Sequence, residues 1–156
     1  MVGIKFEKLV STSATFLEEF FKDIWVESMP YTDFVIIGGD GFGHQLENAI
    51  YIHPERDWLL DIPIGYLPGG SWNGTACDLH AWIENHASTN ILWGEVTNKE
   101  LLVVKDVLQN KEFLTSLMVY GFYANVVRTG EWWRGLLKEK RYNITAAYFL
   151  LCWRRF

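Results

Sequence analysis

The sequence predicts an α/β fold with a parallel sheet, because one order of segments occurs twice. The short apolar run "FVII" at 34–37 precedes the glycine turn "GGDGFG", after which Leu46, Ala49 and Ile50 recur at helical spacing. The run "IPIGYL" at 62–67 likewise precedes "PGGSWNG" and the helical segment "TACDLHAWI". Such continuous apolar runs are typical of parallel strands covered on both faces. We therefore expect both glycine turns to lie side by side at one sheet edge, where α/β proteins bind ligands.

The composition indicates a globular protein with one complete core. The chain has 156 residues, 49% of them hydrophobic, and a formal net charge of −5. This acidic balance argues against nucleic acid as a partner. The two cysteines form no CxxC pair, so neither a disulfide framework nor a zinc ribbon is indicated. No secretion signal or membrane-spanning apolar run is evident, and a cytoplasmic location is therefore expected.

Two further elements are expected before the first glycine turn. Residues 4–10, "IKFEKLV", alternate apolar with charged side chains, as a half-buried strand does. Thr15 and Glu18 have the spacing of a capping box that opens a helix. The apolar face of this helix is expected to comprise Phe16, Leu17, Phe20, Phe21, Ile24 and Trp25.

The pattern changes near residue 97, where we place a domain boundary. The segments "ELLVV" and "EFLTSLMVYGF" are typical of two antiparallel strands joined through "QNKE". A stretch that mixes aromatic and basic side chains with apolar ones follows. Residues 1–97 are thus predicted to form the α/β domain, and residues 98–156 the beginning of a second domain.

The glycine turns have the chemistry of a phosphate site. Backbone N–H groups converge where a strand turns into a helix, and glycine lets an anion approach closely or adopts a positive φ. Neither GxGxxG nor GxxxxGK is present. Asp40 would repel a phosphate, unless Mg²⁺ bridges the two or the acid takes a proton from an acceptor hydroxyl. The alternative is that Asp40 caps the following helix.

Three segments together resemble a known family. "GGDGFGHQLENAI" resembles the GGDG signature of the diacylglycerol kinase catalytic domain, and more closely the GDGxxHEVxNG of its sphingosine kinase and ceramide kinase branch. "IGYLPGGSWNGTA" is similar to the LPxGSGNxxA of that branch. "YGFYANVVRTGEWWRGLLKEKRY" is similar to its GFxADVD segment and the arginines beyond it. The three segments have the family's order and extend over residues 34–142.

The resemblance implies an ATP-dependent lipid kinase with two domains. A three-layer nucleotide-binding domain with a parallel sheet would be followed by a β-rich lipid-binding domain, and ATP with Mg²⁺ would occupy the cleft between them. The family's first strand and its glycine loop would precede residue 4, and most of the lipid domain would follow residue 156. The chain is therefore expected to be a truncated piece of such a protein, inactive by itself.

Site residues follow from the same resemblance, position by position. Asp40 would be the catalytic acid that activates the lipid hydroxyl, and Asn125 would contact the lipid. No residue is assigned to a metal. The residues implied in ATP binding are Gly38, Gly39, Gly41, Gln45, Gly70, Ser71, Asn73, Arg134 and Arg141.

The chain departs from the family pattern at four positions. Gln45 replaces a glutamate that could hold Mg²⁺ or orient the nucleotide. Trp72 replaces a glycine and would either close the second turn or offer a stacking face. Asn125 and Val127 replace the two aspartates of ADVD, which argues against a cationic amine held in the usual way.

Several alternatives stay open at this point. The implied partner is a sphingoid base, ceramide or diacylglycerol, together with a peripheral membrane surface that the basic and aromatic C-terminal stretch could contact. The departures would also suit a catalytically inactive pseudo-kinase, and the GGDG turn occurs in NAD kinase too. Cys77, His80 and His86 resemble half of a metal site but are more simply explained as a helix face.

Overall fold

The computed structural model describes residues 3–71, 73–80 and 84–152, without the side chains of 84–86 and 139. Up to residue 93, two strands are separated and flanked by helices; a β-hairpin follows, and the described part of the chain ends in helices. In chain order the elements are α1 Phe16–Lys22, β1 Phe34–Gly38, α2 Asp40–Tyr51, α3 Arg56–Leu59, β2 Ile64–Pro68, α4 Gly74–Leu79, α5 Glu84–Trp93, β3 Leu102–Asp106, β4 Lys111–Thr115, α6 Phe122–Trp132, α7 Arg134–Leu137 and α8 Arg141–Cys152.

The parallel sheet confirms the predicted α/β arrangement. Strands β1 and β2 pair in parallel, from Phe34 opposite Ile64 to Gly38 opposite Pro68. Helix α2 follows β1 after one residue, and α4 follows β2 beyond the second glycine turn. Two parallel strands that both lead into helices bring both turns to the carboxyl edge of the sheet.

Helices lie on both faces of this sheet. On one face α1 and α2 bury Phe21 and Ile50, which are 1% and 0% exposed, against Ile36 and Tyr66. On the other face α5 packs so closely over β2 that a Cβ on Gly65 would lie 2.9 Å from Ile91 Cδ1. This second layer leaves β1 uncovered, since Val35 and Ile37 are 49% and 71% exposed. The expectation that "FVII" is covered on both faces is therefore wrong for the chain as described.

The N-terminal predictions hold only in part. Residues 4–10 are exposed and form no strand, because no neighbouring strand offers them hydrogen bonds in the described part of the chain. Helix α1 does begin after Thr15, yet the Thr15 hydroxyl donates to Glu19 at 2.7 Å instead of capping a backbone N–H. The predicted capping box with Glu18 is thus wrong. The helix ends at Lys22, so Trp25 lies beyond it and is 47% exposed.

The second part contains the predicted hairpin followed by helices. Strands β3 and β4 pair antiparallel, from Leu102 opposite Thr115 to Asp106 opposite Lys111. The second strand ends at Thr115, earlier than predicted, and the chain turns helical after Gly121, whose φ is +66°. Among the described residues the β structure of this part is confined to the hairpin. No described helix combines the length and apolarity required to cross a bilayer.

The hairpin packs against the α/β part instead of lying apart from it. Strand β4 contacts α2, and Asn48 exchanges two hydrogen bonds of 2.8 Å with the backbone of Leu114. Helices α6 and α8 pack on each other, with Gly130 so close to Tyr142 that a Cβ would lie 3.0 Å from its ring. The domain boundary near residue 97 stays a prediction, because contacts cross it.

Candidate functional site

The two glycine turns meet at the carboxyl edge of the sheet, as predicted. The backbone N–H of Gly69 donates to the carbonyl of Gly38 at 3.0 Å. A Cβ added to Gly69 would lie only 3.1 Å from the Gly38 nitrogen, so a side chain here would push the two backbones apart by a few tenths of an ångström. The turns therefore form one continuous surface of backbone groups.

Asp40 bridges these turns through its side chain. It is the first residue of α2, and its carboxylate is half-buried. The N–H of Gly74 donates to Oδ2 at 2.9 Å, and the N–H of Thr75 donates to Oδ1 at 2.8 Å. Asp40 thus caps α4, the helix of the second turn, and not the helix that follows it in sequence, which the capping alternative had named. Each carboxylate oxygen keeps a second lone pair for another donor.

The second turn is closed by its own asparagine. The Gly70 N–H donates to Asn73 Oδ1 at 2.9 Å, and Asn73 Nδ2 donates back to the Gly70 carbonyl at 3.0 Å. Ser71 is exposed between them, and Trp72 lies outside the described residues. Of the predicted ATP ligands in this turn, Gly70 and Asn73 are therefore bonded to each other and fix the shape of the loop.

The glycines of the first turn matter because of the room that their missing side chains leave, and not because of unusual backbone angles. Gly38, Gly39, Gly41 and Gly43 all lack a positive φ, so of the two predicted reasons for glycine here only the close approach of an anion remains. A Cβ on Gly38 would lie 3.1 Å from Phe42 Cβ, whereas Gly41 has nothing within 4 Å. The surface beside Gly41 is thus open to an incoming group.

The start of α2 offers unbonded amides at this surface. The first intrahelical hydrogen bond is donated by Phe42 to the carbonyl of Gly39, at 3.0 Å. The N–H groups of Asp40 and Gly41 precede it and have no partner within the helix, as at every helix N-terminus. These amides can receive an anion. Gln45, one turn further along, is exposed.

A buried charged cluster behind α2 was missed by the sequence analysis. Glu47, only 4% exposed, accepts hydrogen bonds from the Tyr66 hydroxyl at 2.7 Å and from Lys99 Nζ at 2.5 Å. Burial, together with the bond to Glu47, raises the pKa of Tyr66. A signal for the cluster did exist, since Gly43, Glu47 and Ile50 share one helical face.

The predicted C-terminal site residues bond within their own segment. Asn125 is exposed on α6, and Arg134 is exposed and paired with Glu131 at 3.3 Å. Arg141 is buried, donating to the Lys138 carbonyl at 2.6 Å and to Glu131 at 3.1 Å. In the described part of the chain no hydrogen bond or ion pair joins either arginine to the glycine turns. The structure thus groups the turn residues but not the arginines.

Arg141 belongs to a compact network around Glu131. Tyr142 also donates to Glu131, at 2.8 Å, and the Arg141 guanidinium lies 4.3 Å from the centroid of the Tyr142 ring. The hydrogen bond from Tyr142, followed by the bond from Arg141, lowers the pKa of Glu131 against the opposing effect of burial. These contacts hold α6 against α8.

The histidine of the possible metal site has a structural task. His80 Nε2 lies 3.1 Å from the Tyr66 carbonyl, and Asn90 Nδ2 lies 3.2 Å from His80 Nδ1. Both ring nitrogens thus connect α4 to its neighbours β2 and α5. The side chain of His86 lies outside the described residues. Within the described ranges no three potential ligands gather into a metal site.

Comparison with known proteins adds two findings. Residues 2–105 match the family model described as the diacylglycerol kinase catalytic domain. The chain is also similar to the mitochondrial acylglycerol kinase of Xenopus laevis, with 28% identity over 131 residues. This alignment covers 78% of the chain but 31% of that relative, so the chain spans about a third of the length of the curated protein that it matches.

Proposed function

The chain belongs to the diacylglycerol kinase catalytic domain family, and we propose that it transfers the γ-phosphate of ATP to a hydroxyl of a neutral lipid, with an acylglycerol as the first candidate. The observation that carries this proposal is the position of Asp40 where the two glycine turns meet. The name of the Xenopus relative supports an acylglycerol acceptor. In the protein's working form the chain would supply the nucleotide side of the site.

The turns would hold the phosphates of ATP. The open space beside Gly41 and the amides at the start of α2 suit an anion, and glycine allows its close approach. ATP supplies the group that is transferred, and its Mg²⁺ would be shared between phosphate oxygens and Asp40. A lone carboxylate is sufficient for this purpose, because Mg²⁺ in kinase sites keeps waters and phosphates as its other ligands.

Asp40 would act as a general base whose orientation is fixed by hydrogen bonds. Its hydrogen bonds to Gly74 and Thr75 fix the carboxylate plane, while a remaining lone pair can accept the proton of the acceptor hydroxyl. Orientation by fixed amides is favourable for phosphoryl transfer, which depends mainly on positioning and electrostatics. The same bonds make Asp40 part of the local structure, so its replacement should affect stability as well as rate.

The choice of a neutral lipid rests on the missing carboxylates. Asn125 is exposed on α6, and Val127 occupies the position of the second family aspartate. Glu131, the acid on the same helix, is already engaged by Arg141 and Tyr142. An ammonium headgroup would therefore lack its usual partner here, whereas a glycerol or ceramide hydroxyl needs only a hydrogen bond. A sphingosine kinase-like preference is the less favoured version of the proposal.

The acceptor can be identified with labelled ATP. The protein is incubated with Mg²⁺ and γ-labelled ATP and with micelles of monoacylglycerol, diacylglycerol, ceramide or sphingosine, and with NAD in a separate reaction. Label in an acylglycerol supports the proposal, and label in sphingosine alone or NAD alone overturns the acceptor class. Transfer to none of them by the longest available form of the protein refutes the kinase proposal.

Replacement of Asp40 tests the residue itself. Asp40→Asn should lower transfer by at least about a hundredfold, because the base is lost. The free energy of unfolding should fall by only about 0.5–2 kcal/mol, since Asn keeps one of the two capping bonds. Asp33→Asn is the matched control, because Asp33 lies exposed just before β1 and bonds to Thr32. Normal transfer by Asp40→Asn would remove Asp40 from the mechanism.

A second candidate is a nucleotide-binding pseudo-kinase. Two observations favour it. The Asp40 carboxylate already accepts two backbone hydrogen bonds, and Arg141 is buried with its guanidinium bonded to Glu131, so it does not point to an exposed site. Isothermal titration with Mg-ATP separates the two candidates when combined with the transfer assay. Binding of Mg-ATP without phosphate transfer to any acceptor would favour the pseudo-kinase.

The location remains an inference. Exposed aromatic and apolar side chains of the C-terminal helices, with Trp132 87% and Leu151 79% exposed, would suit a peripheral membrane surface that delivers the lipid. The cytoplasmic location expected from the sequence stays a prediction, since the Xenopus relative is named as mitochondrial. Fractionation of cells expressing the tagged protein would decide between these compartments.

A further inference from the structure

Asn48 makes an unusual set of contacts on α2, two turns after Asp40. Its Oδ1 accepts the N–H of Leu114 at 2.8 Å, and its Nδ2 donates to the carbonyl of Leu114, also at 2.8 Å. The same Nδ2 lies 2.8 Å from the carbonyl of His44. Leu114 belongs to β4 and is 5% exposed. One side chain thus satisfies both backbone groups of a buried strand residue, as a neighbouring strand would.

Neighbouring residues of α2 reinforce this attachment. Glu47 is bonded to Lys99, just before the hairpin, and the His44 ring lies 6.5 Å from that of Phe113. All of these contacts fall on the helix whose first residue is Asp40. The hairpin is therefore fixed to the same rigid element that carries the proposed base.

Along the chain, the hairpin precedes the segment that is proposed to contact the lipid. Strand β4 ends at Thr115, and α6, which contains Asn125, begins at Phe122. Asp40 and Asn48 are separated by about 12 Å of helix at 1.5 Å per residue. A helix of this kind transmits a fixed distance and direction. A shift of the hairpin on α2 would thus also shift the start of the segment that leads to Asn125.

We propose that Asn48 is a positioning residue for phosphoryl transfer. Its paired hydrogen bonds to Leu114 hold the hairpin, and the segment that follows it, at a fixed position relative to Asp40. The role rests on the kinase function proposed above. Loss of this fixed position would leave ATP bound and Asp40 in place, but the lipid hydroxyl would be misaligned. Water would then compete better for the phosphoryl group.

Two variants and a control test the attachment. Asn48→Leu has a similar volume and removes all three hydrogen bonds. Asn48→Asp keeps an acceptor for the Leu114 N–H but places a carboxylate oxygen against the Leu114 carbonyl. Tyr51→Phe is the control on the same helix, because it removes only the exposed 3.4 Å contact between the Tyr51 hydroxyl and Glu112 of β4. Thermal melts first establish that each variant folds, and Asn48→Asp is used if Asn48→Leu does not.

Hydrogen exchange measures the attachment without any enzymatic activity. Exchange of the Leu114 amide should be faster by about tenfold or more in both Asn48 variants. In Asn48→Leu the amide loses its acceptor, and in Asn48→Asp the repulsion between the carboxylate and the Leu114 carbonyl loosens the strand from α2. Exchange in Tyr51→Phe should equal that of the wild type. Unchanged Leu114 exchange in the Asn48 variants would overturn the proposal at its first step.

The positioning role has its own readout in the full-length protein. The rate of transfer from ATP to an acylglycerol is divided by the rate of ATP hydrolysis without transfer. We expect this ratio to fall by roughly tenfold to a hundredfold in the Asn48 variants, as for a misaligned acceptor, while the KM for ATP stays near that of the wild type. A merely structural residue would lower both rates together and leave the ratio unchanged.

The outcomes are distinguishable from failure of the proposed function. Faster Leu114 exchange with an unchanged ratio overturns the positioning role but not the kinase function. A wild-type protein that transfers to no acceptor overturns the kinase function, and the positioning role with it, while the exchange measurement still reports on the attachment. Faster exchange together with a lower ratio supports both.

Discussion

Replacement of Gly43 by alanine should destabilise the protein at a predictable point. Gly43 is buried in α2, and a Cβ there would lie 2.8 Å from Tyr66 Cε1 and 3.6 Å from Ile36 Cδ1. The Tyr66 ring cannot move away easily, because its hydroxyl is bonded to Glu47 and Lys99 Nζ lies 5.2 Å from its centroid. Overpacking of this kind costs about 1–3 kcal/mol.

The helical preference of alanine opposes this cost. An alanine inside a helix is favoured over glycine by roughly 0.8–1 kcal/mol. Gly41→Ala is the matched control, since it lies in the same helix with nothing within 4 Å of its Cβ. The propensity terms largely cancel in this comparison. Gly43→Ala should therefore be less stable than Gly41→Ala by about 1–3 kcal/mol.

Urea unfolding followed by circular dichroism measures this difference directly. A chain of this size changes its melting temperature by about 2–4 °C per kcal/mol, so thermal melts should agree. The slope of the free energy against urea must be equal in both variants for the comparison to hold. If Gly43→Ala is as stable as Gly41→Ala, the close packing of Tyr66 on α2 is wrong.

Two further predictions concern charged residues. Lys99→Met should destabilise the fold by roughly 1–3 kcal/mol, because it leaves the Glu47 carboxylate without its ion-pair partner. The loss is smaller than for a fully buried pair, because Lys99 is partly exposed. Adding Glu47→Gln to this variant should restore part of the lost stability in urea unfolding. Glu131 has a lowered pKa in the fold, so its contribution is complete above the ordinary glutamate pKa of about 4.3 and is lost as the pH falls through the folded value. Melts between pH 7 and 3 should therefore show an acid-side loss of stability that is smaller in Glu131→Gln; equal curves would contradict this.

The elements that the sequence predicted correctly are those with local signals. Apolar runs bounded by glycine identify β1 and β2, and helical spacing of Leu46, Ala49 and Ile50 identifies α2. Residues 4–10 show the limit of such signals. Their alternation is typical of a strand, but a strand also needs a partner, and the described part of the chain offers none.

The site was harder to predict because its contacts are distant in sequence. Asp40 is bonded to amides 34 and 35 residues away, and backbone groups leave no trace in a residue pattern. The basic C-terminal stretch suggested phosphate binding by Arg141, whereas Glu131 occupies that guanidinium from ten residues away. A basic residue that is buried beside an acid resembles an exposed one in sequence. Only the packing of α6 on α8 distinguishes them.

The position of Asp40 also predicts how the site binds ATP. A carboxylate and a phosphate charge about 4 Å apart repel by about 4 kcal/mol at the effective dielectric of a protein surface, which is nearly a thousandfold in affinity. The two amides that hold Asp40 orient its charge without removing it. A cation that accompanies ATP must therefore offset the repulsion, and binding should depend strongly on Mg²⁺.

Asp40→Asn separates this electrostatic effect from the shape of the turns. The neutral side chain removes the repulsion, so in the presence of EDTA the variant should bind ATP more tightly than the wild type, by at least about tenfold. With Mg²⁺ the difference in ATP affinity between the two proteins should become smaller or reverse, because the Asp40 carboxylate of the wild type can bind the ion. Isothermal titration of both proteins under both conditions gives the four affinities. Equal Mg²⁺ dependence in the two proteins would mean that Asp40 does not face the phosphates, because a charge at that position cannot be indifferent to the ion.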